Sequence, residues 1–423
     1  MDQAEGRPAR RSGTASLPAR MSSHPSVRAV LARRAARAAS DAVNGGLNGS
    51  ATEAAVEGDT GAGAGAARGG RRTGVIDAGW LREVALRAGA DDVAAVPLDR
   101  PELAGEREHV LRALPGTRSL ISLVVRMNRD NVRSPERSVA NQEFHRSGEI
   151  INAAAHRIVR QLQDAGHRAV NPSATFPMEM DRYPGRMWVV AHKTVAVAAG
   201  LGAIGIHRNV IHPKFGSFVL LATLLVDAEV SEYGQPIDYN PCLECKLCVA
   251  ACPVGAIGKD GAFDFLACFT HNYREFMGGF TDWAETIADS VDGADFRSRV
   301  TDAENASMWQ SLSFKANYKA AYCMAVCPAG EDVLEPYLED RTEFMNLVLR
   351  PLQEKTETLY VLPGSAAAEH ARRRFPHKTV REVGRAGRPA GSAARAEANA
   401  AVAAAEARAA RQRSRVSSCS PEA

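Results

Sequence analysis

Apolar residues in the middle of the 423-residue chain recur at helix spacing in some stretches and run continuously in others. From Asp77 to Ala88, Leu81, Val84, Ala85 and Ala88 share one face and Gly89 follows, which predicts a helix and its stop. A short apolar stretch at Val93–Val96 comes next, then a helix near 101–113 and a Pro115-Gly116 turn. Ser119–Met127 is an unbroken apolar run, the pattern of a strand covered on both faces. Glu149–Ala165 puts Ile151, Ala155, Ile158, Leu162 and Ala165 on one side and ends at Gly166, an amphipathic helix. Phe218–Val226 repeats the buried-strand pattern. Near the end, Leu359–Leu362, a helix at Ser365–Arg374 and Thr379–Val383 read as a closing β-α-β piece. The expected fold class is α+β. A mixed helix-and-strand domain covers residues 73–235, a cysteine-bearing domain covers 236–335 and a closing segment covers 336–384.

Residues 1–72 and 385–423 lack aromatic residues and are rich in Ala and Arg. Neither stretch carries the apolar surface that offsets ordering entropy, so both are expected to be disordered tails. Ala393–Arg413 has the composition of a solvated helix. The tails hold net charges of +5 and +4 in a chain of +3, leaving the folded part at −6. A mildly acidic body argues against a broad nucleic-acid face. No run of about 18 apolar residues occurs, so no membrane span or membrane partner is expected. The N-terminus lacks the apolar core of a secretory signal, and Arg10-Arg11 is not followed by one. The acid-free stretch between Glu5 and Asp41 fits a transit peptide, and Met21 is an equally fitting start.

Seven of the eight cysteines lie between Cys242 and Cys327. Cys242, Cys245, Cys248, Cys252 and Pro253 form C-x2-C-x2-C-x3-C-P, the bacterial ferredoxin run. Zinc usually takes two C-x2-C pairs well apart. The partner group is shortened to Cys323, Cys327 and Pro328, because Ala320 and Asn317 stand where further cysteines would. Cys268 is the available substitute. The ferredoxin pairing rule puts one [4Fe–4S] cluster on Cys242, Cys245, Cys248 and Cys327. The second, on Cys252, Cys268 and Cys323, is [4Fe–4S] with a foreign ligand or [3Fe–4S]. His271 is a candidate ligand or hydrogen-bond donor. Thiolates that must not pair as disulfides point to the cytoplasm. Cys419 lies far beyond the group.

Gly200-Leu201-Gly202-Ala203-Ile204-Gly205 satisfies G-x-G-x-x-G, with Asp227 downstream. The context of a dinucleotide site fails, since Pro213 and Gly216 interrupt the long helix that should follow. Gly200, Gly202 and Gly205 are instead expected to let backbone approach a flat or bulky cofactor.

This glycine motif, Phe215-Gly216-Ser217-Phe218, Leu225-Val226-Asp227 and the cysteine run together resemble the epoxyqueuosine reductase family and, more distantly, reductive dehalogenases. The resemblance covers about residues 75–330. It implies a nitroreductase-like α/β domain followed by a ferredoxin-like double-cluster domain, with cobalamin held beside the clusters. It also implies electron flow from an external ferredoxin- or flavodoxin-type donor to the corrinoid. Arg186 stands where the family's catalytic aspartate would be counted, and 54 residues separate Cys268 from Cys323. No helical-repeat tail of the kind used for tRNA is visible, so tRNA is not the favoured partner. A small-molecule or nucleoside-like substrate is expected. Reducing a C–O or C–halogen bond needs a proton donor. His192 and Lys193 are the first candidates, with His207, Arg208 and His212 behind them and Glu179, Asp181 and Arg186 weaker. Two functions remain in view: an iron–sulfur reductase with a corrinoid, and an electron-transfer protein that has lost the corrinoid chemistry.

Overall fold

The computed structural model describes residues 19–44, 74–183, 185–319 and 321–384. Its strands in the first domain are β1 (Asp92–Pro97), β2 (Ser119–Arg126), β3 (Ala169–Val170), the small ribbon β4 (Ala203–Ile204) and β5 (Val210–Ile211), and β6 (Val219–Val226). β1, β2, β6 and β3 form one antiparallel sheet in that order, with Ser119 opposite Val226 and Ile121 opposite Leu224. Helices α1 (Ala19–Ser22) and α2 (Pro25–Asn44) precede the sheet. Helices α3 (Ala78–Arg87), α4 (Arg107–Ala113), α5 (Arg129–Arg133), α6 (Arg137–Asp164) and α7 (His192–Ala198) surround it.

The unbroken apolar run of β2 is explained by cover on both faces. Ile121, Leu123 and Val125 share a core with residues of α3 and α6, whereas Leu120 packs in a second core with Val195 and Ala198 of α7. Helix α3 starts where Asp77 accepts a hydrogen bond from the Trp80 N–H at 2.7 Å. It stops at Arg87, two residues before Gly89, whose φ is +100°. Helix α6 begins twelve residues earlier than apolar spacing suggests. Its first half buries Asn141, Glu143, Ser147 and Gly148, a polar set that leaves no apolar period. Glu143 accepts from the Asn128 N–H at 2.7 Å and from Asn131 at 2.9 Å, and so ties α6 to α5.

The cysteine-bearing part contains α8 (Leu247–Ala251), α9 (Phe265–Asn272), α10 (Gly278–Ala288), α11 (Gly293–Arg299), α12 (Asp302–Phe314) and α13 (Tyr322–Ala325). It continues through α14 (Glu335–Glu339), α15 (Arg341–Phe344) and α16 (Arg350–Glu354) into β7 (Thr358–Val361), α17 (Ala366–Arg374) and β8 (Thr379–Glu382). The last three form the expected β-α-β unit, with β7 and β8 parallel. One core joins Cys248 and Cys252 to Phe218 of the sheet domain and to Leu359, Ala371 and Phe375 of the closing unit. Among the described residues no helix is long and apolar enough to cross a membrane.

The expectation that residues 1–72 form a disordered tail is corrected over residues 19–44. Val27 and Val30 of α2 are buried in the core that holds the cysteines. Arg33 pairs with Glu331 at 2.7 Å, Arg34 pairs with Glu335 at 3.0 Å, and the His24 ring meets the Asn240 carbonyl at 3.0 Å. Two buried valines in an Arg- and Ala-rich stretch give no visible pattern, yet each contributes up to about 1.5–3 kcal/mol. The rest of that tail, the 385–423 tail, the Ala393–Arg413 helix and Cys419 lie outside the described residues. A chain beginning at residue 45 is therefore expected to melt several degrees below full length, at about 2–4 °C for each kcal/mol lost. Equal melting temperatures by calorimetry would show that α2 adds nothing.

Candidate iron–sulfur centre and its cavity

Seven cysteine side chains converge because the chain turns sharply between them. Glu244 and Lys246 adopt left-handed φ values of 49° and 65°, which wraps the backbone between Cys242 and Cys248. Helix α8 carries Cys248, and Pro253 ends the run after Cys252. Helix α9 carries Cys268, α13 carries Cys323, and Cys327 follows α13. All seven thiols are free; Cys248, Cys252 and Cys327 are buried and the others are half-buried.

Their mutual electrostatics sort them into two groups. Cys248 is influenced most by Cys327, then Cys245, and Cys327 by Cys245 and Cys242. Cys323 is influenced by Cys252, and Cys268 by Cys323 and Cys252. The leading pairings, Cys248 with Cys327 and Cys323 with Cys252, fall within the groups that the ferredoxin pairing rule expects, although Cys248 feels Cys323 ahead of Cys242. They abut where Cys248 also feels Cys323. Burial and then neighbouring sulfurs push the Cys268 thiol up to about 12. Burial pushes Cys245 and Cys323 up to about 11 and Cys327 up to about 12. Such thiols ionise only when a nearby cation compensates them. Several sulfurs already have donors: the Ala256 N–H approaches Cys252 Sγ at 3.2 Å, Asn209 Nδ2 approaches Cys323 Sγ at 3.7 Å, and Ser217 serves Cys327. The donor set fits polynuclear iron: soft, mostly buried sulfur whose charge nearby cations such as Lys193 offset only in part.

Cys252, Cys268 and Cys323 open into a cavity of about 1200 Å³ between the sheet domain and the cysteine-bearing part. Its wall includes Phe144, Phe176, Tyr273, Phe276 and Tyr318. These rings brace one another, with Tyr273 and Phe276 at 4.8 Å and Phe276 and Tyr318 at 5.3 Å. Cys242, Cys245, Cys248 and Cys327 are not among the lining residues.

Lys193, at the start of α7, lines this cavity and is exposed to it. Its ammonium donates to the Arg208 carbonyl at 2.9 Å and to Asn209 Oδ1 at 2.8 Å. Burial lowers its pKa, and the nearby Cys323 and Cys268 oppose that shift. His207 also lines the cavity. Its Nδ1 accepts the Asn209 N–H at 3.1 Å, so the neutral ring carries its proton on Nε2, which is buried and unpartnered. Burial and then the Lys193 charge hold His207 down at about 4. His271 follows the same logic. Nδ1 accepts the Tyr360 N–H at 3.3 Å, Nε2 is buried without a partner, and burial takes the pKa to about 4. An imidazole with Nδ1 occupied in this way carries its proton on Nε2, which suits a hydrogen-bond donor better than an iron ligand.

His192 is placed otherwise than expected. Nδ1 pairs with Thr223 Oγ1 and Nε2 with the Ser173 carbonyl, both at 3.0 Å, and the ring does not line the cavity. Its nitrogens are both spent, one tying α7 to β6 and the other to the loop after β3. His212 pairs with Asp92 at 3.1 Å and stacks on Phe215. Arg186 pairs with Glu106 at 2.5 Å, and Glu106 also accepts the Ala191 N–H at 2.8 Å. Glu179 and Asp181 are absent from the cavity wall, although Met180 and Tyr183 are in it.

The three glycines serve the protein's own packing. A Cβ on Gly200 would stand 2.1 Å from the Gln235 carbonyl oxygen, and one on Gly202 would stand 2.5 Å from that of Ile211. Gly205 shapes the site indirectly, since a Cβ there would press on Ile211 and on the His207 ring. The tyrosines that line the cavity were not legible in the sequence. Tyr273, Tyr318 and Tyr322 belong to the segment between Cys268 and Cys323 or its end, where no motif marks them. Burial raises the pKa of all three.

Residues 236–258 match the family model described as 4Fe-4S binding domain. The epoxyqueuosine reductase of Cellulophaga algicola is 35% identical over 118 residues, which are 25% of this chain and 38% of that protein. The epoxyqueuosine reductase of Synechococcus sp. is 28% identical over 174 residues, 40% of this chain and 50% of that protein. The chain thus spans half or less of the length of these two relatives. The solved epoxyqueuosine reductase from Streptococcus thermophilus covers 65% of this chain and 79% of its own at 16% identity, with a TM-score of 0.36.

Two outcomes follow for the thiol groups. Cys245→Ala is expected to lose about half of the bound iron, whereas Cys419→Ala keeps all of it; equal iron in both variants would break the ligand assignment. Air-exposed protein is expected to give a [3Fe–4S] paramagnetic resonance, from the group with three thiolates, that survives in His271→Ala. A resonance altered in that variant would make imidazole a ligand after all.

Proposed function

Because this chain belongs to the epoxyqueuosine reductase-like superfamily of iron–sulfur proteins, we propose that it is an iron–sulfur reductase acting on a substrate in the interdomain cavity. The observation that carries this reading is the opening of one thiol group, and not the other, into that cavity. Cys242, Cys245, Cys248 and Cys327 would hold the cluster nearer the external donor. Cys252, Cys268 and Cys323 would hold the cluster that faces the substrate. The clusters would supply single electrons, and a corrinoid in the cavity would supply a cobalt centre for reducing a substrate bond. The volume and the aromatic wall suit a flat macrocycle.

The chain's own residues have separable tasks. Lys193 holds a transferable proton at Nζ, close to the sulfurs of Cys268 and Cys323. His207 and Tyr273 border the same space. The rings of Phe144, Phe176, Phe276 and Tyr318 exclude water. Residues 278–314 contribute part of the wall and hold seven acids against two arginines. The excess of acids in this segment would disfavour a phosphate backbone passing over it, which favours a small or nucleoside-like substrate over tRNA.

A second reading is an electron-transfer protein without corrinoid chemistry. It is favoured by Ala320, which lies outside the described residues, and by Arg186 at the place counted for the family's acid. Metal analysis separates the two. Protein purified without air from cells supplied with cobalamin is expected to hold cobalt as well as iron. Gly148→Phe, which fills the cavity from α6, is expected to keep the iron and lose the cobalt. Iron without cobalt in the wild type would favour the carrier.

A further inference from the structure

Arg133 closes α5, on the sheet-domain side of the first thiol group. Its guanidinium lies between two rings, with Cζ 5.2 Å from the centroids of both Phe218 and Phe344. Nε donates to the Ala325 carbonyl at 3.1 Å, two residues before Cys327. Nη2 is shut off from solvent and has no partner. A buried N–H without an acceptor is costly, and a buried cation without an anion is more so. The charged side chains around it are Arg129, Asp130 and Cys327, and Arg129 adds repulsion. Burial and then Arg129 bring its pKa down to about 10, which leaves it a cation at neutral pH. The aromatic faces steady the charge but accept no hydrogen bond of ordinary strength.

We propose that Arg133 is the charge partner of the cluster on Cys242, Cys245, Cys248 and Cys327: the sulfur of that cluster is the acceptor Nη2 lacks, and the guanidinium raises its reduction potential. The inference rests on the two-cluster reading above. The step concerned is a one-electron reduction by an external low-potential carrier. It adds one negative charge to the cluster, moves no proton and breaks no bond. A fixed neighbouring cation stabilises the reduced form more than the oxidised form, because the reduced form is the more negative. Arg133 is thus a positioning and tuning residue that touches no substrate.

The test is a redox titration of the full-length protein followed by paramagnetic resonance. The signal missing from Cys245→Ala identifies the cluster in question. Iron content and the presence of that signal test the two-cluster reading; the position of its midpoint tests the role of Arg133. Arg133→Met is expected to keep its iron. Its first-cluster reduction equilibrium should fall at least tenfold, about 59 mV for a one-electron couple. The second cluster's midpoint should stay in place as the internal reference. Arg133→Lys keeps the charge without the fork and should fall between the two. It also decides the matter should the methionine variant fail to fold. A first-cluster midpoint unchanged in whichever variant retains iron overturns the proposal, and so does an equal shift of both clusters.

Discussion

A thiolate shut away from water needs a counter-charge close by, and seven cysteines in one region set the terms for the chain around them. Unaided, the pocket favours the neutral thiol: burial and mutual repulsion lift Cys245, Cys268, Cys323 and Cys327 to about 11 or 12. The fold must therefore present these sulfurs at fixed spacing to polynuclear iron, which supplies the charge. This explains the left-handed residues Glu244 and Lys246, which no regular element would contain. It also explains how the sheet domain grips the ligand loops. A Cβ on Gly216 would stand 2.0 Å from the Ala329 carbonyl oxygen, so only glycine allows that loop to sit against the segment after Cys327.

The segment between Cys268 and Cys323 is held by charge more than by apolar packing. Arg274 is buried between Glu304 and Asp282, with Glu304 also meeting Arg381 of β8. Glu275 is buried against Arg137 of α6 and Lys319. Buried ion pairs of this kind add little net stability and break expensively when one partner is lost. Here they fix α10–α12 against α6 and β8, which positions the ring wall of the cavity. The polar first half of α6 is thus the socket for this segment.

What was legible in the sequence is what depends on local spacing. The cysteine run and its pairing needed only chain intervals, and the strands at Ser119 and Val219 needed only apolar length. The amphipathic half of α6 showed because it faces the sheet; its polar half did not, because Asn141 is buried on Tyr318, far along the chain, and Glu143 on the backbone and side chains of α5. Helix α2 escaped notice because two valines carry its docking. The glycine motif was correctly read as a close approach and wrongly given a cofactor as the neighbour, since Gln235 and Ile211 fill that place. His192 and Lys193 are adjacent in sequence and point to different surroundings. A helix separates neighbours by about 100°, and only Lys193 faces the cavity.

The protonation states around the cavity lead to one chemical character. Burial keeps the phenols of Tyr273, Tyr318 and Tyr322 protonated and keeps His207 and His271 neutral. In both histidines the hydrogen bond at Nδ1 leaves the N–H on Nε2. Among the described lining residues the only carboxylate is Glu149, and Lys315 neutralises it. Cations of Lys193, Lys315 and Arg208 line the space beside Cys252, Cys268 and Cys323, while the Tyr322 hydroxyl is donated to Glu357 and the Nε2 atoms of His207 and His271 are shut away from its surface. A wall of cations stabilises charge that arrives as electrons, whereas a wall of carboxylates would repel that charge. The same cations are poor bases, so proton removal from a substrate is poorly served. Under the proposed reading, such a lining would deliver protons to a group being reduced.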